Sequence, residues 1–172
     1  MKIQIIGFSG SGKSTLARTL AKHYNVPFLH LDNTRFYGDW EERTSEEQSI
    51  IVENFLKEND SWVIDGNYSS VAPERFRESD LTILLAYNRL VCYRNCKTRY
   101  VKYKGRNRED CPCTEKFDLK FKKWILWTGR KPKRVKKMMN NLESTKGDKL
   151  IFKNRKQLHN WLKNNQIHFE DK

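Results

Sequence analysis

The run Gly7-Phe8-Ser9-Gly10-Ser11-Gly12-Lys13-Ser14 constrains this chain more than any other stretch. It completes the pattern GxxxxGK[ST] between a short β-branched run, Lys2-Ile3-Gln4-Ile5-Ile6, and a segment that sets Leu16, Ala17, Leu20 and Ala21 on one helical face. Strand, glycine loop and helix in that order make a phosphate cradle. Glycines let the backbone turn its N–H groups inward around an anion, and the helix N-terminus adds partial positive charge. In such a cradle Lys13 reaches the β and γ phosphates of a nucleotide and the Ser14 hydroxyl ligates Mg²⁺.

The rest of the pattern alternates strands with helices. Residues 26–31 read as a second buried strand ending at Asp32, 61–65 as a third that stops at Gly66, and 81–86 as a fourth, apolar throughout except for Thr82. A helix over 45–56 takes Ser45 as its N-cap, with Glu46 and Glu47 in its first turn. A basic helix runs from Asn88 to about Tyr103, followed by a hydrophilic excursion over 104–110 that reads as a mobile flap. Helical patterns resume at 117–127 and 132–142, then 149–152 gives a fifth strand and Leu158, Trp161 and Leu162 a closing helix. Parallel neighbours need crossover connections, so the expectation is an α/β fold with a five-stranded parallel sheet flanked by helices. At 172 residues it forms a single domain, 1–172, with a basic helical lid at about 100–130.

No run of 18 apolar residues occurs and the N-terminal apolar run is only five long, which predicts neither a spanning helix nor a signal peptide, and hence a cytoplasmic protein. Cys92, Cys96, Cys111 and Cys113 then read as free thiols, without the four-ligand spacing of a zinc site. The net charge of +13 is concentrated: residues 1–87 hold 9 Lys/Arg against 13 Asp/Glu, whereas 88–155 hold 22 against 6, or +16. Such a field attracts phosphate groups, on a nucleotide or on a nucleic-acid backbone.

Several residues become candidates beside the loop. Asp65, at the end of its strand, would emerge next to the phosphates and hold Mg²⁺ with Ser14. Asp32, at a second strand end, could accept a proton from a substrate hydroxyl or orient the acceptor, while His30 reads as a packed or hydrogen-bonded residue. Arg94, Arg99, Arg106 and Arg108 bracket the flap, where guanidinium groups would neutralise charge developing on a transferred phosphoryl group. Lys131, Lys133, Arg134, Lys136 and Lys137 read as a solvated face, and Trp124 with Trp127 as core packing. No Asn-Lys-x-Asp base-reading motif is present and the chain is short for a helicase or an AAA-type motor, which leaves a small kinase. The rival is a nucleotide-regulated DNA-binding protein that uses the basic segment 88–155.

The segments GFSGSGKST, LHLDN, WVIDGNY, SDLTILLAYNR and GRNREDCPCTEKFD resemble the DNA topology modulation (FlaR-related) proteins, which are similar to the adenylate kinase and shikimate kinase branch of P-loop proteins. The resemblance implies a strand order of 2-3-1-4-5. It implies too that Gly7, Ser9, Gly10, Ser11, Gly12, Lys13, Ser14 and Thr15 bind ATP phosphates, that Asp65 assists magnesium, and that Asp32 lies at the acceptor site. Arg94, Arg99, Arg106 and Arg108 would lie in the lid. The chain departs from nucleoside monophosphate kinases at Asp65-Gly66-Asn67-Tyr68, where those enzymes typically show Asp-Gly-Phe-Pro-Arg.

Overall fold

The computed structural model describes residues 1–107 and 110–169. Its main sheet is built from β1 (Lys2–Gly7), β2 (Phe28–His30), β5 (Trp62–Asp65), β6 (Leu81–Leu85) and β7 (Asp148–Phe152), in the order β2-β5-β1-β6-β7. All four pairings are parallel. Counted along the main sheet alone, this is the expected order 2-3-1-4-5. A separate antiparallel hairpin joins β3 (Phe36–Gly38) to β4 (Glu41–Glu42).

Strand alternation sorts the core into two layers. Ile3, Ile5, Val63, Leu81, Ile83 and Leu85 face a cluster that includes Leu16 and Leu20 of α1 (Lys13–Tyr24), Cys92 and Cys96 of α5 (Arg89–Tyr103), and Leu158 and Leu162 of α8 (Arg155–Asn164). On the opposite face, Trp62 and Ile64 meet Val52 of α3 (Ser45–Glu58), while Ile6 and Leu84 meet Phe76 of α4 (Glu74–Glu78) and Met138 and Leu142 of α7 (Pro132–Glu143). Each side chain so buried stabilises by roughly 1.5–3 kcal/mol over its exposed state, which offsets the ordering of the chain. Two further helices, α2 (Leu31–Arg35) and α6 (Leu119–Leu126), lie beside the C-terminal edge of the sheet.

Three local readings change. The second strand stops at His30 and Leu31 opens a helix, so Asp32 sits in the first turn of α2 and does not end a strand. Thr44, not Ser45, caps α3: its hydroxyl accepts from the Glu47 N–H at 3.2 Å while Glu47 Oε2 accepts from the Thr44 N–H at 2.8 Å. Ser45 has the equivalent spacing to Gln48, but that amide is buried and donates to the Leu31 carbonyl and to Thr34 Oγ1. Trp124 and Trp127 are 37 % and 59 % exposed, so neither is core. The segment that follows the flap is anchored: Cys111 and Cys113 are buried against Phe36 of the hairpin.

Candidate functional site

The glycine loop bridges β1 and α1. Gly10 (φ 78°) and Gly12 (φ 93°) occupy the left-handed region, where a side chain is strained. At Gly10 there is also no space: a Cβ would stand 2.4 Å from the Cys92 carbonyl oxygen and 2.6 Å from Cys96 Sγ. At Gly12 a Cβ would meet nothing within 4 Å, and the residue lines a cleft. Side chains from distant elements pin the loop. The Asn95 amide donates to the Gly10 carbonyl at 2.8 Å, the Asn67 amide takes the Gly7 N–H at 3.0 Å and donates to the Gly7 carbonyl at 2.7 Å, and the Trp124 indole N–H reaches Ser9 Oγ at 3.3 Å. Within the loop, Lys13 Nζ donates to the Phe8 carbonyl at 3.2 Å, and Ser11 Oγ is buried without a hydrogen-bond partner.

The parallel register brings Ile5 beside Asp65 and Asp65 beside His30 at the C-terminal edge of the sheet. Ser14, in the first turn of α1, donates its hydroxyl to Asp65 Oδ2 at 2.9 Å. His30 Nδ1 contacts the other carboxylate oxygen, and both side chains are buried. Three residues after Asp65, the Tyr68 hydroxyl donates to Asp32 Oδ1 at 2.8 Å. Burial, and then the Asp32 carboxylate, push the Tyr68 phenol well above its ordinary range, so it remains a donor. Arg75 holds this corner. It is wholly buried, with its guanidinium on Gln4 Oε1 at 2.9 Å, the Tyr68 carbonyl at 2.9 Å, the Ala72 carbonyl at 3.1 Å and the Val71 carbonyl, and burial lowers its pKa to about 10.

These groups line one cleft of about 1510 Å³ that runs from the glycine loop to the hairpin. Among the described residues its wall carries eleven Lys/Arg and five Asp/Glu, and nine of the eleven cations come from residues 88–155. Arg94 and Arg99 are among them; Arg99 is held by the buried Glu115 carboxylate through Nε at 2.9 Å and a terminal nitrogen at 2.7 Å. Arg106 is exposed and does not line the cleft, and Arg108 lies outside the described residues. The face at 131–137 is exposed at Lys131, Lys133, Arg134, Lys136 and Lys137, as expected, but Lys131 and Arg134 also line the cleft, Arg134 with its guanidinium 4.5 Å above the Trp124 ring.

The segment 111–116 is part of the wall and is docked on the hairpin. The Trp40 backbone N–H donates to Cys113 Sγ at 3.3 Å, its indole N–H to the Thr114 carbonyl at 3.0 Å, and Thr114 Oγ1 to Asp39 Oδ1 at 2.9 Å. Lys116 Nζ stands 5.1 Å from the Trp40 ring centre. Asp39 (φ 42°) and Trp40 (φ 71°) take left-handed backbone to make this join, a costly conformation for an aromatic residue.

Sequence reasoning read His30 only as packed or hydrogen-bonded, without its Asp65 partner, and gave no site role to Asn67, Tyr68, Asn95 and Glu115, because each acquires its place through a partner 16 to 85 residues away. The Asp-Gly-Asn-Tyr segment was the available signal for two of them.

Among solved structures, the shikimate kinase of Bacteroides thetaiotaomicron is similar over 95 % of both chains, at 18 % identity and a TM-score of 0.56. An uncharacterized protein from Eubacterium ventriosum ATCC 27560 is similar over 97 % of this chain and 98 % of its own, at 20 % identity and a TM-score of 0.53. At these identities the likeness is one of fold. No curated protein matches the chain. The family model of the AAA domain matches residues 3–114, which span the phosphate loop and four of the five main-sheet strands. With 112 of 172 residues matched, the chain belongs to the AAA domain family, and its fold is similar to that of the shikimate kinase.

Proposed function

We propose that this chain is an ATP-dependent phosphotransferase that moves the γ-phosphoryl group to a small hydroxyl or phosphate acceptor. The observation that carries the reading is the placement of two carboxylate centres on one cleft: Asp65, paired with Ser14 at the phosphate loop, and Asp32, paired with Tyr68 beyond it. Ser14 Oγ and Asp65 form an oxygen donor set of the kind Mg²⁺ takes, since that ion keeps several waters and uses one or two carboxylates together with phosphate oxygens. Buried Ser11 Oγ without a partner, and the empty space over Gly12, fit a phosphate group held by the loop. Ser14 and Asp65 would hold Mg²⁺, which supplies charge neutralisation to the phosphates when bound.

In this reading Gly7 to Thr15 bind the ATP phosphates and Lys13 contacts the β and γ groups from within the cleft. Asp32, fixed by the Tyr68 hydroxyl, positions the acceptor and receives its proton when the acceptor is an alcohol. Arg94, and Arg99 as oriented by Glu115, neutralise the transferring group, and the docked 111–116 segment keeps water out. The convergence of nine cations of the basic segment on the cleft supports a small polyanion over a duplex as the ligand they serve. The link to DNA topology modulation proteins remains a resemblance of sequence segments.

The test is a labelled-ATP transfer screen over nucleosides, nucleotides and small alcohols, run with the parent chain and Lys13→Ala. A labelled product that falls by on the order of 10²–10³ in the variant is expected. Equal transfer by both proteins overturns the mechanism.

A further inference from the structure

His30 is explained neither by the glycine loop nor by packing alone. It ends β2 and stands beside Asp65 in the sheet register. Its Nδ1 contacts Asp65 Oδ1, and the two side chains are 4 % and 5 % exposed. An ionised carboxylate only accepts, so Nδ1 carries the proton and donates. The second oxygen, Oδ2, accepts from Ser14 Oγ. The two oxygens of Asp65 therefore have separate partners, and the ring determines which oxygen faces which.

The ring itself is fixed. Phe28 packs against it edge-on, with centroids 5.0 Å apart and planes at 63°. Its other nitrogen, Nε2, is buried and has no hydrogen-bond partner, although the residue lines the cleft. Buried polar atoms in folded proteins are nearly always paired, and an apolar side chain would fill this space without leaving one bare. A histidine is needed here for something other than filling.

We infer that His30 is a positioning residue: its Nδ1–H holds the Asp65 carboxylate in the orientation that turns Oδ2 toward Ser14, and so sets the affinity of that oxygen pair for a divalent cation. The inference rests on the reading of Ser14 and Asp65 as the magnesium site. Hydrogen bonds to groups that carry metal ligands commonly set affinity by one to two orders of magnitude.

The test is Mn²⁺ binding, followed by the electron paramagnetic resonance signal of free Mn²⁺, with the full chain and a non-hydrolysable ATP analogue. His30→Asn puts an amide N–H near the Nδ1 position, His30→Gln puts one near Nε2, and His30→Phe keeps the ring without a donor. Binding is expected to weaken tenfold or more in the Phe and Gln variants and to return to within about threefold of the parent with Asn. Parental affinity in His30→Phe, or recovery with Gln as good as with Asn, overturns the inference. Asp65→Asn separates the two levels. If it abolishes Mn²⁺ binding while His30→Phe leaves it intact, only the role of His30 falls; if it leaves binding unchanged, the magnesium site falls and His30 with it. Should the Phe variant not fold by circular dichroism, the Asn and Gln pair decides.

Discussion

A glycine can be required for its conformation, for its lack of volume, or for both, and in the phosphate loop Gly10 is required for both and Gly12 for conformation alone. Gly10 has a left-handed backbone and sits against the α5 backbone and Cys96, whereas Gly12 has the backbone and open space. Gly10→Ala is therefore expected to destabilise by roughly 2–5 kcal/mol, from strain and overpacking together, and Gly12→Ala by about 1–2 kcal/mol from strain alone. Urea unfolding of the two variants checks the difference; equal losses would mean that α5 yields at no cost. At this scale the sequence disclosed whatever is carried by adjacent residues. Lys13 and Ser14 stand within a local pattern, and Asp65 ends an apolar strand, so their neighbourhood could be read directly. His30 could not: its Asp65 contact exists only because β2 lies next to β5, and a three-residue strand gives no sign of its neighbour.

The edge strands β2 and β7 are partly exposed and showed only in shorter apolar runs, whereas β1, β5 and β6 are buried on both faces, announce themselves by near-continuous apolar runs and were legible. Residues 31–42 were not, since LDNTRFYGDWEE has neither helical nor strand period. What shapes them is contact: the Arg43 guanidinium donates to the carbonyls of Asn33, Thr34 and Phe36 at 3.1, 3.4 and 2.5 Å, and the hairpin is held by the 111–116 segment. Helix α3 offers a cleaner test of local chemistry. Thr44→Ala removes one half of the capping box and is expected to cost about 1 kcal/mol, measurable as a shifted urea midpoint at pH 7. The other half depends on pH. Hydrogen bonds, first from Tyr37 and then from Thr44, hold the Glu47 carboxyl below its ordinary value in the folded chain. A carboxylate so depressed stabilises the fold above the unfolded value, and that contribution disappears as pH falls through the folded one. The stability difference between parent and Glu47→Gln is thus expected at neutral pH and to vanish under acid; persistence under acid would assign it to packing.

Across the whole molecule, charge and fold agree in direction. The first half is acidic overall and supplies four of the five main-sheet strands, the phosphate loop and both carboxylate centres; the second half carries the +16 and supplies most of the cations that face them. Composition could reveal the sign and the segment. It could not reveal that Arg134 lies over Trp124 at the cleft while Arg106 stays outside it, because helix α7 is placed by the sheet face on which Met138 and Leu142 pack. No helix among the described residues is long and apolar enough to cross a membrane.

The union of Trp40 with Cys113 and Thr114 has a temporal consequence. It fastens the hairpin to the 111–116 wall with two neutral hydrogen bonds from Trp40, one from Thr114 to the Asp39 carboxylate, and a cation above an indole, and in the proposed phosphotransferase these would have to part for a bound molecule to leave. Egress would then be the slow stage of a cycle whose chemistry is quick. Rapid mixing should register a burst of one equivalent of product before a slower steady rate, and Trp40→Ala should quicken the second stage more than the first; a linear time course from the outset would show that the fastening sets no pace.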